Sequence, residues 1–325
     1  MLDRADLVLV LAVKECGTLT GAARRLEIST AAVTKRLANI ESQLSVRLFS
    51  RSTRSVVVTP EGELYCELAA RLIHEFEDLE SRLTDLSGTP QGNIRIACNV
   101  GFGRMWLAPL IAQFTQSYPQ VSIELDLVNR LPDLQAEGYD CAIWLWSSAP
   151  THLIVTTLAR NHRVLVASRA YLDRAGSPVD PSDLRQHACL LLDDRDTPAA
   201  LWRLSRVSGQ ADATHDAQIH EGDVPVDVRV SGVLRSNNGE VLRDWALHGY
   251  GIALRPYWDV HTYLSNGMLV RVLPDYARVD ADIRWIAPYL PHTPQRIKLL
   301  KRFLETHLRE APWFLQSQHA STREI

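Results

Sequence analysis

Apolar positions along the first sixty residues fall at helical spacing in short blocks separated by turn residues. Leu7, Leu9, Val10, Leu11 and Val13 form a nearly all-apolar helix that stops at Gly17, the residue type that best tolerates the backbone after a helix end. Thr18 or Thr20 can cap a second helix through Leu26, whose inward Ala22, Ala23 and Leu26 allow close approach of a third. After the turn Glu27-Ile28-Ser29, Ser29 is a good N-cap, and Val33, Leu37, Ile40 and Leu44 recur at spacings of four, three and four along a helix over 30–44. Residues 48–59 place Phe49 and three valines on either side of a polar tip, which predicts a β-hairpin. Over 61–86, Leu64, Leu68, Leu72, Phe76, Leu79, Leu83 and Leu86 make one stripe on a helix close to 40 Å long. Pro60 suits its first turn, and Ser87-Gly88-Thr89-Pro90-Gln91-Gly92 ends it.

Beyond residue 92 short strands alternate with helices, the pattern of parallel βαβ units. Strands are predicted at 94–98, 121–128 and 140–145, with a helix over 102–116 and a short one over 131–137 closed by Gly138. The pattern enters a second lobe near 163–167, continues through 188–192 and 228–234, and reaches a glycine-flanked strand at 249–254. Segments 269–273 and 283–287 are expected to return to the first lobe, and 295–308 reads as a closing amphipathic helix. Residues 205–226 are polar with little periodicity and read as a surface excursion.

The predicted architecture is α/β. A winged helix-turn-helix occupies 1–60, a linker helix 61–89, and a two-lobed α/β domain 90–325. Lobe 1 is placed at about 92–163 with 266–312, and lobe 2 at about 164–265. Two chain crossings between the lobes would form a hinge around a cleft.

The chain has 325 residues, 46% hydrophobic and 22% charged, which excludes disorder and collagen-like repetition. No apolar run reaches the roughly 18–20 residues of a membrane span, and Asp3 and Asp6 stand where a secretory leader would be basic. Cys16, Cys66, Cys98, Cys141 and Cys189 show no C-x-x-C spacing, so reduced thiols in a cytoplasmic protein are expected. Charge is uneven: +4 over 1–60, −6 over 61–90 and near −1 over the remainder. A small basic head, an acidic rod and a nearly neutral body suggest three jobs in sequence. Lys35 and Arg36 on the third helix can reach a major groove of about 12 Å, and Arg51 and Arg54 on the hairpin can reach backbone phosphate.

The stretch from Thr20 to Glu41 (TGAARRLEISTAAVTKRLANIE), followed by Leu48-Phe49-Ser50-Arg51 and Val58-Thr59-Pro60-Glu61-Gly62, resembles the N-terminal signature of LysR-type transcriptional regulators. The chain is similar to that family in length and layout as well. Ala31 stands where the family often has proline. The resemblance implies that Ser29, Thr30, Ala31, Thr34, Lys35 and Arg36 lie near bases or phosphates of double-stranded DNA, with Arg51 and Arg54 on the wing. It implies self-pairing through the linker helix, assembly typically as tetramers, and a small-molecule effector bound between the lobes. The two-lobed body is also similar to periplasmic solute-binding proteins.

Ligands of open α/β sheets bind beyond the carboxyl ends of strands. The candidates there are Asn99, Gly101, Phe102 and Gly103, then Asn129 and Arg130, then Trp144 and Trp146, and in lobe 2 Ser168, Ser236, Asn237 and Asn238. Tryptophans beside polar loop ends suit a flat or aromatic ligand, and Arg130 with helix N-termini suits a carboxylate. Catalysis finds little support: no nucleophile elbow, metalloprotease helix or phosphate loop occurs. His215, Asp216, His220, Glu221 and Asp223 suggest a metal only by proximity in sequence, and no cofactor is expected. Alternatives are a thiol-based redox regulator and a solute-binding protein without a DNA role.

Overall fold

The computed structural model describes residues 3–51, 56–85, 90–145, 152–193, 200–208, 218–219, 224–290 and 293–315. The chain forms two compact units, Met1–Gly92 with Pro132–Tyr139, and Asn93–Leu131 with Asp140–Ile325.

In the first unit, α1 (Arg4–Cys16), α2 (Leu19–Arg25) and α3 (Thr30–Leu44) are followed by the hairpin β1 (Phe49–Arg51) and β2 (Val56–Val58), then by α4 (Pro60–Asp85). The helix ends follow the sequence. Thr18 caps α2 and Ser29 caps α3 through their hydroxyls, and Gly17 closes α1 at φ +61°. Leu9, Val10, Val13, Ala22, Ala23, Val33, Leu37, Ile40, Leu48, Phe49 and Cys66 form one core.

The second unit holds two five-stranded sheets among the described residues. The first comprises β3 (Gly92–Asn99), β4 (Val121–Val128), β5 (Cys141–Trp144), β6 (Leu153–Ala159) and β16 (Ile283–Pro288), in the order β4-β3-β5-β16-β6. The second comprises β7 (Arg163–Ala167), β8 (Cys189–Leu192), β12 (Arg235–Ser236), β13 (Ile252–Pro256) and β14 (Val270–Val272), in the order β12-β8-β13-β7-β14. The β3–β5, β8–β13 and β8–β12 pairs are parallel, as the βαβ reading requires. The helices are α5 (Val100–Phe102), which runs through a π turn at Gly103–Leu107 into α6 (Ala108–Ser117), then α7 (Arg169–Ala175), α8 (Gly239–Leu247), α9 (Tyr257–Ser265) and α10 (Gln295–Arg309).

Three expectations are corrected. Val270–Val272 pairs antiparallel with β7, so the chain stays in lobe 2 past residue 266 and returns only through 278–282 into β16. Where a helix over 131–137 is expected, 131–133 are irregular and 134–138 form a turn ending at Gly138, φ +70°. Residues 205–226 are not all a surface excursion, because β9 (Leu201–Ser208) buries Trp202, Leu204 and Val207 and pairs with β10 (Gln218–Ile219), β11 (Val226–Arg229) and β15 (Tyr276–Ala277); 209–217 and 220–223 lie outside the described residues.

The two crossings lie side by side. Arg163 and Arg278 exchange backbone hydrogen bonds of 2.8 and 3.0 Å, and Asp280 stands 3.1 Å from Arg163 Nε and 2.5 Å from Arg278 Nε. Asp282 Oδ1 accepts from the backbone of Asn161 at 3.1 Å. The crossings are therefore two coupled segments, joined by backbone hydrogen bonds and by the carboxylate of Asp280.

Candidate nucleic-acid interface and inter-lobe cleft

α3 is fixed on one side and free on the other. Val33, Leu37 and Ile40 are buried, while Thr30, Ala31, Lys35 and Asn39 are exposed along the opposite face. Ser29 Oγ accepts from Ala32 N–H at 3.1 Å, so its side chain is committed to starting the helix. The Thr34 hydroxyl donates to the Thr30 carbonyl at 2.9 Å and lies back along the helix. Arg36 departs from the expected grouping. Its Nε donates to Asp6 Oδ1 at 2.6 Å and its Nη2 to Asp3 Oδ1 at 2.9 Å, so the guanidinium ties α3 to the capping box of α1. The backbone of Arg51 lies in β1, whereas its side chain and all of Arg54 fall outside the described residues.

A buried carboxylate fixes the hairpin to α3. Glu41 Oε1 accepts from the backbones of Leu48 and Phe49 at 2.9 and 3.2 Å, and Arg47 Nη1 stands 3.2 Å from Glu41 Oε2. Thr59 Oγ1 bonds the Leu48 carbonyl at 3.0 Å and accepts from Gly62 N–H at 3.0 Å, which ties the hairpin to α4. Gly62 is required there: a β-carbon would lie 2.0 Å from Leu48 O. On α4, Cys66 and Ala69 are buried, while Leu64, Leu68, Leu72, Phe76 and Leu79 remain 45–57% exposed within one chain. Leu68, Leu72 and Phe76 line a groove of about 370 Å³ together with Leu7 and Tyr65.

The strand ends of the two lobes meet at the cleft. Cys98 aligns with Ile143, so Asn99 and Trp144 sit at one end of the first sheet. Leu127 approaches Gly103, where a β-carbon would lie 2.3 Å from its Cδ2, which brings the end of β4 to the same side. Asn129 and Arg130 are exposed just beyond it. In lobe 2, Ser236 aligns with Leu192, and Asn238 Oδ1 caps α8 by accepting from Glu240 N and Val241 N at 2.8 and 3.3 Å. Asn237 is exposed between them. The lobes touch at Gly101, where a β-carbon would lie 3.4 Å from Glu240 Cγ and from Trp258 Cη2. Arg104 pairs with Glu240 across the same gap.

Some expected site residues lie elsewhere. Phe102 and Gly103 are buried, Phe102 edge-on to Trp258 with centroids 5.3 Å apart. Trp144 is buried in β5, and Trp146 falls outside the described residues. Ser168 is at the wrong end of its sheet: β7 runs antiparallel to β13, so its carboxyl end points away from Ser236. There Ser168 Oγ accepts from Tyr171 N–H at 3.4 Å and caps α7. The sequence reading did not reach Glu240, Arg243, Arg255, Trp258 or Asp259. The spacings Glu240–Arg243 (i, i+3) and Arg255–Asp259 (i, i+4) are a local signal for four of them, whereas Arg104–Glu240 and Arg243–Asp259 join separate segments and carry none.

Comparison with known proteins gives the family. A model of bacterial regulatory helix-turn-helix proteins of the lysR family matches residues 5–63, and a model of the LysR substrate binding domain matches 87–309. The chain belongs to the LysR family. It is 34% identical over 305 residues to the HTH-type transcriptional regulator DmlR of Escherichia coli K12, covering 94% of each chain. It is 34% identical over 273 residues to the HTH-type transcriptional activator TtdR of the same strain, covering 84% of this chain and 83% of the other. The full-length structure of AphB of Vibrio cholerae matches with a TM-score of 0.60 at 25% identity, over 93% of this chain and 98% of that one. This LysR-type protein is thus a DNA-binding transcriptional regulator with an effector-binding domain, in a family of regulators rather than enzymes.

Two competing chemistries gain nothing from the structure. Burial pushes the Cys66 thiol up to about 11 and that of Cys189 to about 12, and raises Cys98 and Cys141 as well. A redox sensor needs a depressed, accessible thiol. Of the candidate metal cluster, His215, Asp216, His220, Glu221 and Asp223 all lie outside the described residues. Among the described residues no group of three or more His, Cys, Asp or Glu could hold a metal ion, and no helix is long and apolar enough to cross a membrane.

Proposed function

We propose that this regulator seats α3 in the DNA major groove, with Thr30, Ala31 and Lys35 toward bases and phosphates, Ser29 and Thr34 at the edges, and Arg51 and Arg54 on the flanking backbone. The observation that carries the reading is the exposed line Thr30, Ala31, Lys35 and Asn39 on a helix whose other face is locked into a core. Such a helix presents base-reading side chains without reorganising the domain.

The domains are 1–60, 61–89 and 90–325, and two copies pair through α4. In support, the stripe from Leu64 to Leu79 stays exposed in a single chain. An isologous pair of heads fits a partly palindromic site with half-sites about one helical turn apart, and family precedent extends the dimer to a tetramer. The effector is a carboxylate or aromatic compound in the inter-lobe cleft, near Asn99, Gly101, Asn129, Arg130, Trp146, Ser236, Asn237 and Asn238. Its binding shifts the population of lobe arrangements and so changes the spacing or bending of the bound DNA. The protein works by binding, in the cytoplasm.

Retardation of the DNA fragment upstream of its own gene, titrated with salt, tests the first step. Salt-sensitive, sequence-selective retardation is expected, and its absence on every promoter fragment overturns the reading.

A further inference from the structure

Behind the cleft wall of lobe 2 lies a charge network. Arg243 and Arg255 are both buried, and the buried Asp259 stands between them, 2.8 Å from Arg243 Nη1 and 2.8 Å from Arg255 Nη2. Gly239 leaves the room that Arg255 fills, since a β-carbon there would lie 2.2 Å from both terminal nitrogens. Asp244 Oδ1, 3.0 Å from Arg243 Nη2, closes the network at its outer edge. On the cleft side Glu240 closes it, 3.9 Å from Arg243 Nη1. Asp259 and Asp244 between them take hydrogen bonds from all three nitrogens of Arg243, and Asp259 faces Arg255, so Glu240 is a third carboxylate on the network, held at 3.9 Å rather than by a hydrogen bond.

Glu240 is shared. Its Oε1 faces Arg243 within its own lobe and pairs with Arg104 from the π turn of the opposite lobe. The Glu240 side chain is 14% exposed and that of Arg104 61%. An ion pair with one partner largely in water holds weakly and exchanges readily. The carboxylate thus sits beside a buried guanidinium without a hydrogen bond to it, at the point where the lobes touch, on a partner that can let go.

We propose that Glu240 is a resident carboxylate occupying an anion subsite formed by Arg104 and Arg243, and that the carboxylate of an organic-anion effector binds by taking its place. This rests on the cleft reading above and names the ligand class of that site. Exchange transfers Arg104 from a lobe 2 residue to the ligand, so occupancy of the subsite acts directly on the tie between the lobes.

Chemical rescue in the full-length protein tests it. Glu240→Ala should lower Tm by about 2–4 °C. Tens of millimolar acetate or propionate, at matched ionic strength, should restore it while acetamide does not. Wild type and Glu240→Gln, whose subsites stay filled, should gain nothing specific from acetate, and Arg104→Gln combined with Glu240→Ala should lose the rescue. Equal stabilisation of wild type and Glu240→Ala by acetate, or rescue that survives loss of Arg104, overturns the proposal. If Glu240→Ala does not fold, Arg104→Gln and Glu240→Gln replace it. Tm losses that fail to add in the double variant support the shared subsite, and additive losses overturn it. Rescue in a protein whose DNA binding answers to no ligand would sink the effector reading alone. A ligand response without rescue would sink the exchange alone.

Discussion

Arg36 Nε lies 2.6 Å from Asp6 Oδ1, which makes one of two adjacent cations on α3 a clasp within the head and leaves Lys35 facing outward. The two should therefore separate by assay. Lys35→Ala removes a phosphate-range cation and should weaken DNA binding while lowering the salt slope by about 1. Arg36→Ala should leave that slope unchanged and cost the head about 0.5–1.5 kcal/mol, the range for a charge-assisted bond at a partly exposed site. Salt-titrated retardation and thermal melting of both variants decide it. A slope change in Arg36→Ala with no loss of Tm would return Arg36 to the DNA.

Gly62→Ala should damage the head more than its size suggests. The new methyl would stand 2.0 Å from Leu48 O and 2.8 Å from Val58 Cγ2. Backbone at that distance cannot rotate away, so α4 must move off the hairpin, breaking the Thr59 bonds to Leu48 and Gly62. Overpacking of this kind costs about 1–3 kcal/mol or more. Calorimetry should show a lower head transition and retardation a loss of affinity. A melting profile like wild type would remove the packing argument.

What was legible in the sequence was local. Thr18 and Ser29 cap helices because a hydroxyl beside an apolar stripe has one low-energy use, and the spacing Val33, Leu37, Ile40 leaves one face to bury. The strands were found for the same reason. Strand direction was not, since the antiparallel β7 that carries Ser168 away from the cleft is set by pairing with residues some ninety positions on. The same kind of long-range pairing, with β7, places Val270–Val272 in lobe 2. Glu27 ends α2 at φ +55°, a left-handed position with no glycine to advertise it. The Arg104–Glu240 pair joins residues from different lobes, and no periodicity in either segment could have shown it.

If copies pair through α4 as proposed, Leu68→Glu and Leu72→Glu should separate them without unfolding the chain. Both side chains are 45% exposed in one copy, so a charge there meets water in the monomer and an apolar partner only in the pair. Sedimentation should fall to the monomer value for 36.5 kDa. Affinity for a two-half-site fragment should fall with it, since each head then binds alone. An unchanged sedimentation coefficient in the double variant would move the dimer contact off α4.

The buried thiols predict how the head responds to alkali. Cys66 is 2% exposed, and burial raises its thiol from about 9 to about 11 against a partial offset from Lys14. An acid whose folded pKa is raised binds its proton more tightly when folded, so its stabilising share is complete below about pH 9 and is lost as pH climbs toward 11. A shift of that size corresponds to roughly 2–3 kcal/mol at the top of the window. Urea unfolding of the head between pH 8 and pH 11 should show the decline, and it should flatten in Cys66→Ala, which has no thiol to ionise. Below the window the same burial protects: at about pH 8 a thiol reagent should modify the partly exposed Cys16 well before the other four cysteines, all of which are buried. Fast labelling of Cys98 or Cys141 under those conditions would show that the strands holding them open in the native state, and would restore a thiol switch as a live mechanism.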